Sequence, residues 1–335
     1  MSFLIIGDIH FKINNSLQTD ILHKEVIEII NKRNPDFIIL LGDLNDRHEK
    51  IDLAPFNRIE KFLRDINKTG KEVFSLIGNH DLSGPKEYLS DIHVFNAFKM
   101  WPKMNIIDKC QLFEREINGE IIKFICSPYV PNNMFLQALK DCNLTDEIIK
   151  TANIVFCHSE FTGSKINKLS KSICDTYPSD FPLNIAGHLH DEEIVSNNLF
   201  YIGTPFQQSF SENPNKGVNI ITIKSGKINI EKIKLSIPQK IMITINYKEL
   251  YTINLPKECE LKVKIIGPIK QVKELMKTQE LSLKFSKAKI IYSDTSIIKE
   301  IPTNKNSLTF SEKIINEFND NTELSLLFKN IFFNI

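Results

Sequence analysis

Phe37-Ile38-Ile39-Leu40-Leu41-Gly42-Asp43-Leu44-Asn45-Asp46 is an apolar run that stops at a glycine and turns at once to acid and amide. Five large apolar residues in a row, entered just after Pro35, read as a strand buried on both faces, as in a parallel sheet. The same pattern recurs along the chain. Residues 3–7 lead into Asp8-Ile9-His10, and residues 73–77 into Gly78-Asn79-His80-Asp81. Ile154–Cys157 runs into His158, and Leu183–Ala186 into Gly187-His188-Leu189-His190. Between the first strands, Ile21, Leu22, Val26, Ile29 and Ile30 fall at helical spacing within residues 19–32, and a second helix is expected over 56–66. Another strand is expected over 121–126. Strand and helix alternating at this interval predict an α/β layered fold.

The pattern changes over residues 220–237, where apolar and polar residues alternate as in a half-exposed strand, and Pro238 marks a boundary. Residues 241–247, 261–266 and 287–292 then read as strands around a helix at 269–278. This divides the chain into a domain of residues 1–235, a small α/β cap domain of 236–300 and a helical tail of 301–335. At 335 residues the chain is long enough for one large core and a second small one. Its 42 basic and 41 acidic residues leave a net charge of +1, which argues against a polycation that coats nucleic acid. No apolar stretch is long enough to span a bilayer, and no secretory leader is visible, so no membrane association is expected. The six cysteines are scattered without a Cys-x-x-Cys pair and read as reduced thiols, which places the protein in the cytoplasm or another reducing compartment.

Polar side chains that emerge directly from apolar strands are costly unless something satisfies them. Five of the eight histidines lie in these strand-end motifs. A dinuclear metal centre would satisfy all of them together. Imidazole with carboxylate and amide oxygen suits manganese, iron or zinc better than magnesium or calcium. In Asp-x-His and His-x-His, alternate residues leaving a strand project the same way, so both reach one cluster. Two cations about 3.5–4 Å apart clamp a phosphate and activate a water. The glycines at 7, 42, 78 and 187 are expected to allow the turn from strand to loop. Asp-x-His alone is a common pair. Five such motifs in order, each after its own strand, point to one centre rather than to unrelated buried polar groups.

This series resembles the calcineurin-like metallophosphoesterase superfamily, and within it the SbcD-type branch of double-strand-break repair nucleases with their phage and large-DNA-virus relatives. The segment Tyr201-Ile202-Gly203-Thr204-Pro205-Phe206-Gln207-Gln208-Ser209-Phe210 is similar to the strand and Gly-Ser/Thr-Pro turn that follow the last metal motif in that branch. The likeness covers about residues 1–235 in detail and the remainder in layout. It implies a four-layer αββα sandwich with a small α/β cap and a helical tail. It implies that Asp8, His10, Asp43 and His190 hold one metal, with Asp43 bridging to a second completed by Asn79, His158 and His188. Two divalent ions are expected, manganese first, with iron, zinc or magnesium as alternatives. His80 would be the catalytic histidine and Asp81 would orient it. The chain departs from the branch at Asp46, where many of the nucleases carry a second histidine; Arg47 or His48 is then expected to contact the substrate.

The implied activity is a metal-dependent DNA exonuclease and endonuclease in repair, recombination or replication. A stand-alone phosphodiesterase or phosphatase on a small phosphoester is the alternative. A scaffold whose metals only stabilise the fold is a third reading, disfavoured by the full ligand set with His80. Lys165, Lys168 and Lys171 are candidate phosphate contacts, or simply a solvated loop. The apolar segment 310–335 either packs on its own chain or, as the resemblance implies, binds an SbcC-like ATPase. A homodimer formed through helices near residues 86–100 is a further expectation of the resemblance, while His23 and His93 are expected at the surface or core edge.

Overall fold

In the computed structural model, residues 1–294 are described apart from Glu49 and Asn118; the expected tail, 301–335, lies outside the described residues. The strands are β1 (Ser2–Ile6), β2 (Phe37–Leu40), β3 (Glu72–Leu76), β4 (Met104–Ile107), β5 (Gln111–Ile117), β6 (Glu120–Ser127), β7 (Ile154–Cys157), β8 (Leu183–Ala186), β9 (Glu193–Ser196), β10 (Leu199–Tyr201), β11 (Val218–Lys224) and β12 (Lys227–Ile233), followed by β13 (Lys240–Asn246), β14 (Glu260–Gly267) and β15 (Ala288–Asp294). The helices are α1 (Ser16–Arg33), α2 (Leu53–Lys68), α3 (Phe135–Asp141), α4 (Asp146–Thr151), α5 (Lys165–Ser170), α6 (Ile269–Leu275) and α7 (Gln279–Lys284).

Among the described residues, β12-β11-β1-β2-β3-β4 form one six-stranded sheet and β5-β6-β7-β8-β10-β9 a second. Strands β1 to β4 run parallel, as do β6, β7, β8 and β10; antiparallel pairing adds β11 and β12 beside β1 in the first sheet and β5 and β9 at the two edges of the second. The two-residue period of a strand then sorts its side chains between two cores. Phe3 and Ile5 of β1 face the space between the sheets, with Phe37, Ile39 and Phe74 beside them and Phe124, Phe156 and Ile185 opposite. Leu4 and Ile6 point the other way, onto Leu22, Val26 and Ile30 of α1 and Ile59, Phe62 and Leu63 of α2. In β7, Ile154 and Phe156 face inward, whereas Val155 and Cys157 pack outward on Phe135, Ala138 and Leu139 of α3 and Ile149 of α4. Helix, sheet, sheet and helix make the four-layer αββα sandwich.

The chain divides into two compact units, Met1–Ile243 with Asn254–Lys262, and Thr244–Ile253 with Val263 onward. In the C-terminal part, β13-β14-β15 form a three-stranded sheet, and Val263, Ile265, Val272, Leu281 and Phe285 are buried. The helix expected over 269–278 is broken after Leu275, and a second short helix, α7, starts at Gln279. The stretch 86–100, expected to present helices, holds no α-helix; it carries one 3-10 turn, Asn96–Met100. His93 lies at the core edge, as expected: the residue is half-buried, with its side chain enclosed and 3.3 Å from Asp108 Oδ2. The six cysteines are all free, four of them buried. No helix among the described residues is long and apolar enough to cross a membrane.

Candidate metal centre

Parallel strands deliver their carboxyl ends to one edge, where α/β sheets bind ligands. β1, β2, β3, β7 and β8 end at Ile6, Leu40, Leu76, Cys157 and Ala186, and each candidate ligand follows within four residues. The two sheets therefore bring side chains from distant parts of the chain into one cluster. Asp8, His10 and His190 form one group of converging ligand atoms, Asp43, His158 and His188 another, and His10, Asp43 and His80 a third; within each group the atoms lie within 4.8 Å of one another.

The backbone is tight around this cluster. His10, Asp43 and His188 take left-handed φ values of 48°, 49° and 79°, a conformation that costs non-glycine residues free energy and gathers at functional sites. The expected role of the glycines needs correction here. Only Gly42 among the four has a left-handed φ, 103°. Gly78 is required for close approach, because a Cβ there would lie 2.2 Å from Asp43 Oδ1. The turn strain falls on the ligands themselves.

The inner geometry is that of groups awaiting a shared cation. His10 Nε2 faces His190 Nε2 at 3.2 Å, and His158 Nε2 faces His188 Nδ1 at 3.3 Å. Asn79 Oδ1 lies 3.0 Å from His158 Nε2 and 2.9 Å from His188 Nδ1. Asp43 sits between the groups, with Oδ2 3.7 Å from His10 Nε2 and 3.4 Å from His158 Nε2. Asp8 Oδ1 is buried without a hydrogen-bond partner. Imidazole nitrogens crowded against one another and an orphaned buried carboxylate oxygen are costly in a protein interior. Divalent cations resolve both, and the mixed nitrogen and oxygen donors fit manganese, iron or zinc. Asp8, His10 and His190 would hold one ion, and Asn79, His158 and His188 the other, with Asp43 reaching both.

The electrostatics carry the same mark of crowding. Burial, offset in part by His158, pushes the Asp8 carboxyl up to about 6. Burial also acts on Asp43, but His158 and His10 outweigh it and hold that carboxyl well below its usual range. Burial and then the neighbouring His158 push His188 down to about 3. Asp81 is pushed up to about 8 by burial and by Asp43.

Asp81 does not orient the His80 ring. Its carboxylate accepts from Asn45 N at 2.8 Å and Gly78 N at 2.9 Å, tying two ligand loops together. The ring of His80 is held instead by the Asp46 carbonyl, 2.7 Å from Nδ1. His48 stacks on His80, with ring centroids 4.4 Å apart and planes at 23°. Arg47 is turned toward Asp52, 3.4 Å away, with its side chain 58% exposed. Lys165, Lys168 and Lys171 belong to α5 and its C-terminal cap, outside the cluster of ligand atoms.

Two participants had no signal in the sequence. Glu212 Oε1 lies 3.1 Å from His190 Nδ1, and the buried Lys216 donates to the His190 carbonyl at 2.6 Å and approaches Glu212 Oε2 at 3.2 Å. A lone glutamate and a lone lysine in a polar loop read as solvated, and only the fold turns them inward. Tyr129 was missed as well. Its ring centroid lies 6.1 Å from that of His158 and 5.9 Å from that of His188, and its hydroxyl donates to the Pro85 carbonyl at 3.0 Å.

A sequence profile of calcineurin-like phosphoesterases matches residues 1–192. The phosphoesterase-named protein 078R of Invertebrate iridescent virus 3 is 30% identical over 239 residues, which are 71% of this chain and 67% of that protein. The phosphoesterase-named protein 244L of Invertebrate iridescent virus 6 is 30% identical over 284 residues, 82% of this chain and 97% of that protein. The DNA double-strand break repair protein Mre11 of Thermoplasma acidophilum is 24% identical over 238 residues, 63% of this chain and 57% of that protein. With the profile spanning more than half of its length and a relative 30% identical across most of both proteins, this chain belongs to the calcineurin-like phosphoesterase family.

Proposed function

We propose that this metal-dependent phosphoester hydrolase is a two-metal phosphodiesterase that cleaves DNA, a nuclease of the SbcD type acting in repair, recombination or replication. The observation that carries the reading is the placement of His80 against the ligand cluster. With Nδ1–H donated to the Asp46 carbonyl at 2.7 Å, Nε2 is the ring atom left to exchange a proton with the substrate. Its ring centroid is 4.8 Å from that of His10, which sets the ring beside the candidate ligands. His80 then protonates the departing oxygen or stabilises charge as the bond breaks, and His48, stacked on it, limits its rotation. When bound, the two cations, manganese first, supply Lewis-acid neutralisation of the phosphate. Asp8, Asp43, Asn79, His10, His158, His188 and His190 hold and orient them.

The choice of DNA is supported by the likeness to the archaeal Mre11 and by the strand–Gly-Thr-Pro segment at 201–205. The iridescent-virus relatives support a virus-encoded origin. We read residues 236–300 as a cap domain and 301–335 as the segment that binds an SbcC-like ATPase. The second reading, a small phosphoester substrate, is favoured by one feature. A cleft of about 210 Å³ includes Lys12, Asn45, Asp46, Arg47 and Asp52 in its lining. Lys12 is paired to Asp46 at 2.8 Å and Arg47 to Asp52 at 3.4 Å, so the cleft offers little net positive charge to a polyanion.

End-labelled linear DNA and bis(p-nitrophenyl) phosphate, each with Mn²⁺, separate the two when run beside His80→Ala. Degradation of DNA that vanishes in the variant is the expected result. Hydrolysis of the small ester alone would sink the nuclease reading and leave the phosphodiesterase.

A further inference from the structure

The ligands of the centre differ in what fixes their rings. The side chains of His10 and His158 are 3% and 0% exposed, so packing holds them, whereas that of His190 is 36% exposed. An imidazole so open to solvent is free to turn unless a hydrogen bond stops it. His190 Nδ1 meets Glu212 Oε1 at 3.1 Å, and this bond leaves Nε2 as the atom facing His10 Nε2 and Asp8. Glu212 is itself gripped. Its Oε2 accepts from Gln208 N at 2.9 Å and lies 3.2 Å from Lys216 Nζ. Lys216 is buried and donates both to the His190 carbonyl at 2.6 Å and to Asp191 Oδ1 at 2.8 Å. Gln208 also donates to the Ile9 carbonyl at 3.0 Å, which ties this loop to the Asp8 and His10 strand end.

Burying a lysine and a glutamate costs free energy that packing alone would avoid, so the pair is explained by what it orients. We propose that Glu212, aimed by Lys216, is a positioning residue for the metal held by Asp8, His10 and His190. It fixes His190 in the Nδ1-protonated form and raises the donor strength of Nε2, as carboxylates behind metal-bound imidazoles do. At the other metal position a backbone carbonyl stands behind His158: its Nδ1 is bonded to Leu41 O at 2.7 Å, with Asp8 Oδ1 farther off at 3.8 Å. Glu212 therefore acts on one of the two positions only. The inference rests on the two-metal reading above.

The test uses the full chain, wild type, Glu212→Gln and Glu212→Ala. Mn²⁺ binding is titrated by the loss of the free-ion electron paramagnetic signal, and the metal-free proteins are melted in parallel. The expected result is affinity weakened about 10- to 100-fold at one position in Glu212→Ala, with partial recovery in Glu212→Gln. The second position stays unchanged in both variants, and the metal-free melting temperature falls less in Glu212→Gln than in Glu212→Ala, which leaves Lys216 and Gln208 N short of a partner. In ¹⁵N-histidine-labelled protein, the His190 Nδ1–H resonance is lost in Glu212→Ala and kept in Glu212→Gln. Unchanged affinity in both variants overturns the proposal. So does an equal fall at both positions together with the melting temperature, since that is a loop staple and not an oriented ligand. If Glu212→Ala does not fold, Glu212→Gln decides alone: weaker binding at one position supports the proposal and wild-type binding overturns it. A wild-type chain that binds no Mn²⁺ sinks the two-metal reading itself.

Discussion

The two halves of the centre are held by different means. Behind Asn79, His158 and His188 stands the fold itself: the Leu41 carbonyl at the end of the β2 run bonds His158, and Asn79 belongs to the turn closed by Asp81 on Gly78 N. Behind His10 and His190 stand side-chain carboxylates, each paired with a lysine. Glu212 is bonded to His190 and lies near Lys216, while Asp46 lies 3.5 Å from His10 Nδ1 and 2.8 Å from Lys12. The Asp46 contact is an ion-pair distance without a well-formed hydrogen bond, and His10 Nδ1 is otherwise unpartnered. A backbone carbonyl cannot be changed without changing the strand that carries it. A carboxylate can be replaced by one substitution, so the half built on His10 and His190 is the adjustable one.

The largest expected effect comes from the residue both halves share. Asp43→Ala should weaken Mn²⁺ binding at both positions by more than about 100-fold, because a direct ligand matters more than the groups behind it. Titration that loses one position and keeps the other would show that Asp43 belongs to a single half. His80→Ala should lower kcat by about 10²–10⁴-fold with Mn²⁺ stoichiometry unchanged, since His80 serves the reaction and not the ions. Loss of bound metal in that variant would make His80 a ligand. Asp46→Ala should weaken one Mn²⁺ position by less than about 10-fold, below the effect of Glu212→Ala, because its contact with His10 is the looser one. If Asp46→Ala proves the more damaging, the ranking of the two carboxylates is reversed. Gly78→Ala should cost about 1–3 kcal/mol in urea unfolding, as the added Cβ meets Asp43 and something must shift.

The smallest effect concerns a carboxyl paired with His93 and Lys99 and with none of the candidate ligands, and serves as a control. Burial pushes the Asp108 carboxyl up, but hydrogen bonds from His93 and Lys99 outweigh it and hold it down at about 2. A carboxyl whose folded pKa is lowered stabilises the fold above its unfolded pKa, and that contribution is lost as the pH falls toward about 2. Asp108→Asn should remove about 1–2 kcal/mol of stability at neutral pH and flatten the acid limb, with Mn²⁺ binding unaffected. A change in Mn²⁺ affinity would show that this pair is coupled to the centre.

Much of this was readable before any coordinates. Runs such as 37–41 and 154–157 announce strands because each residue must be buried on one face or the other, and a polar residue right after such a run is conspicuous. The strand ends of β1, β2, β3, β7 and β8 follow from that alone; the choice of seven candidate ligands and of His80 among the polar residues behind them came from the family resemblance. The assignment of Asp81 to the His80 ring did not survive, because adjacency along a chain says little about which way two side chains turn in a 3-10 turn. The partner of His93 was illegible for a related cause: one histidine in a polar stretch gives no sign of the Asp108 that meets it from fifteen residues on.

Local pattern thus decided which strands exist, where the chemistry sits on them and which metals suit it, since burial periodicity and ligand type are properties of short segments. Tertiary structure alone decided which groups stand behind the ligands. Glu212 and Lys216 reach His190, the Asp46 carbonyl holds His80, and Asp43 lies between the two groups of ligand atoms. Those relations depend on loops from separate strands meeting at one sheet edge, and no spacing along the chain encodes a meeting in space.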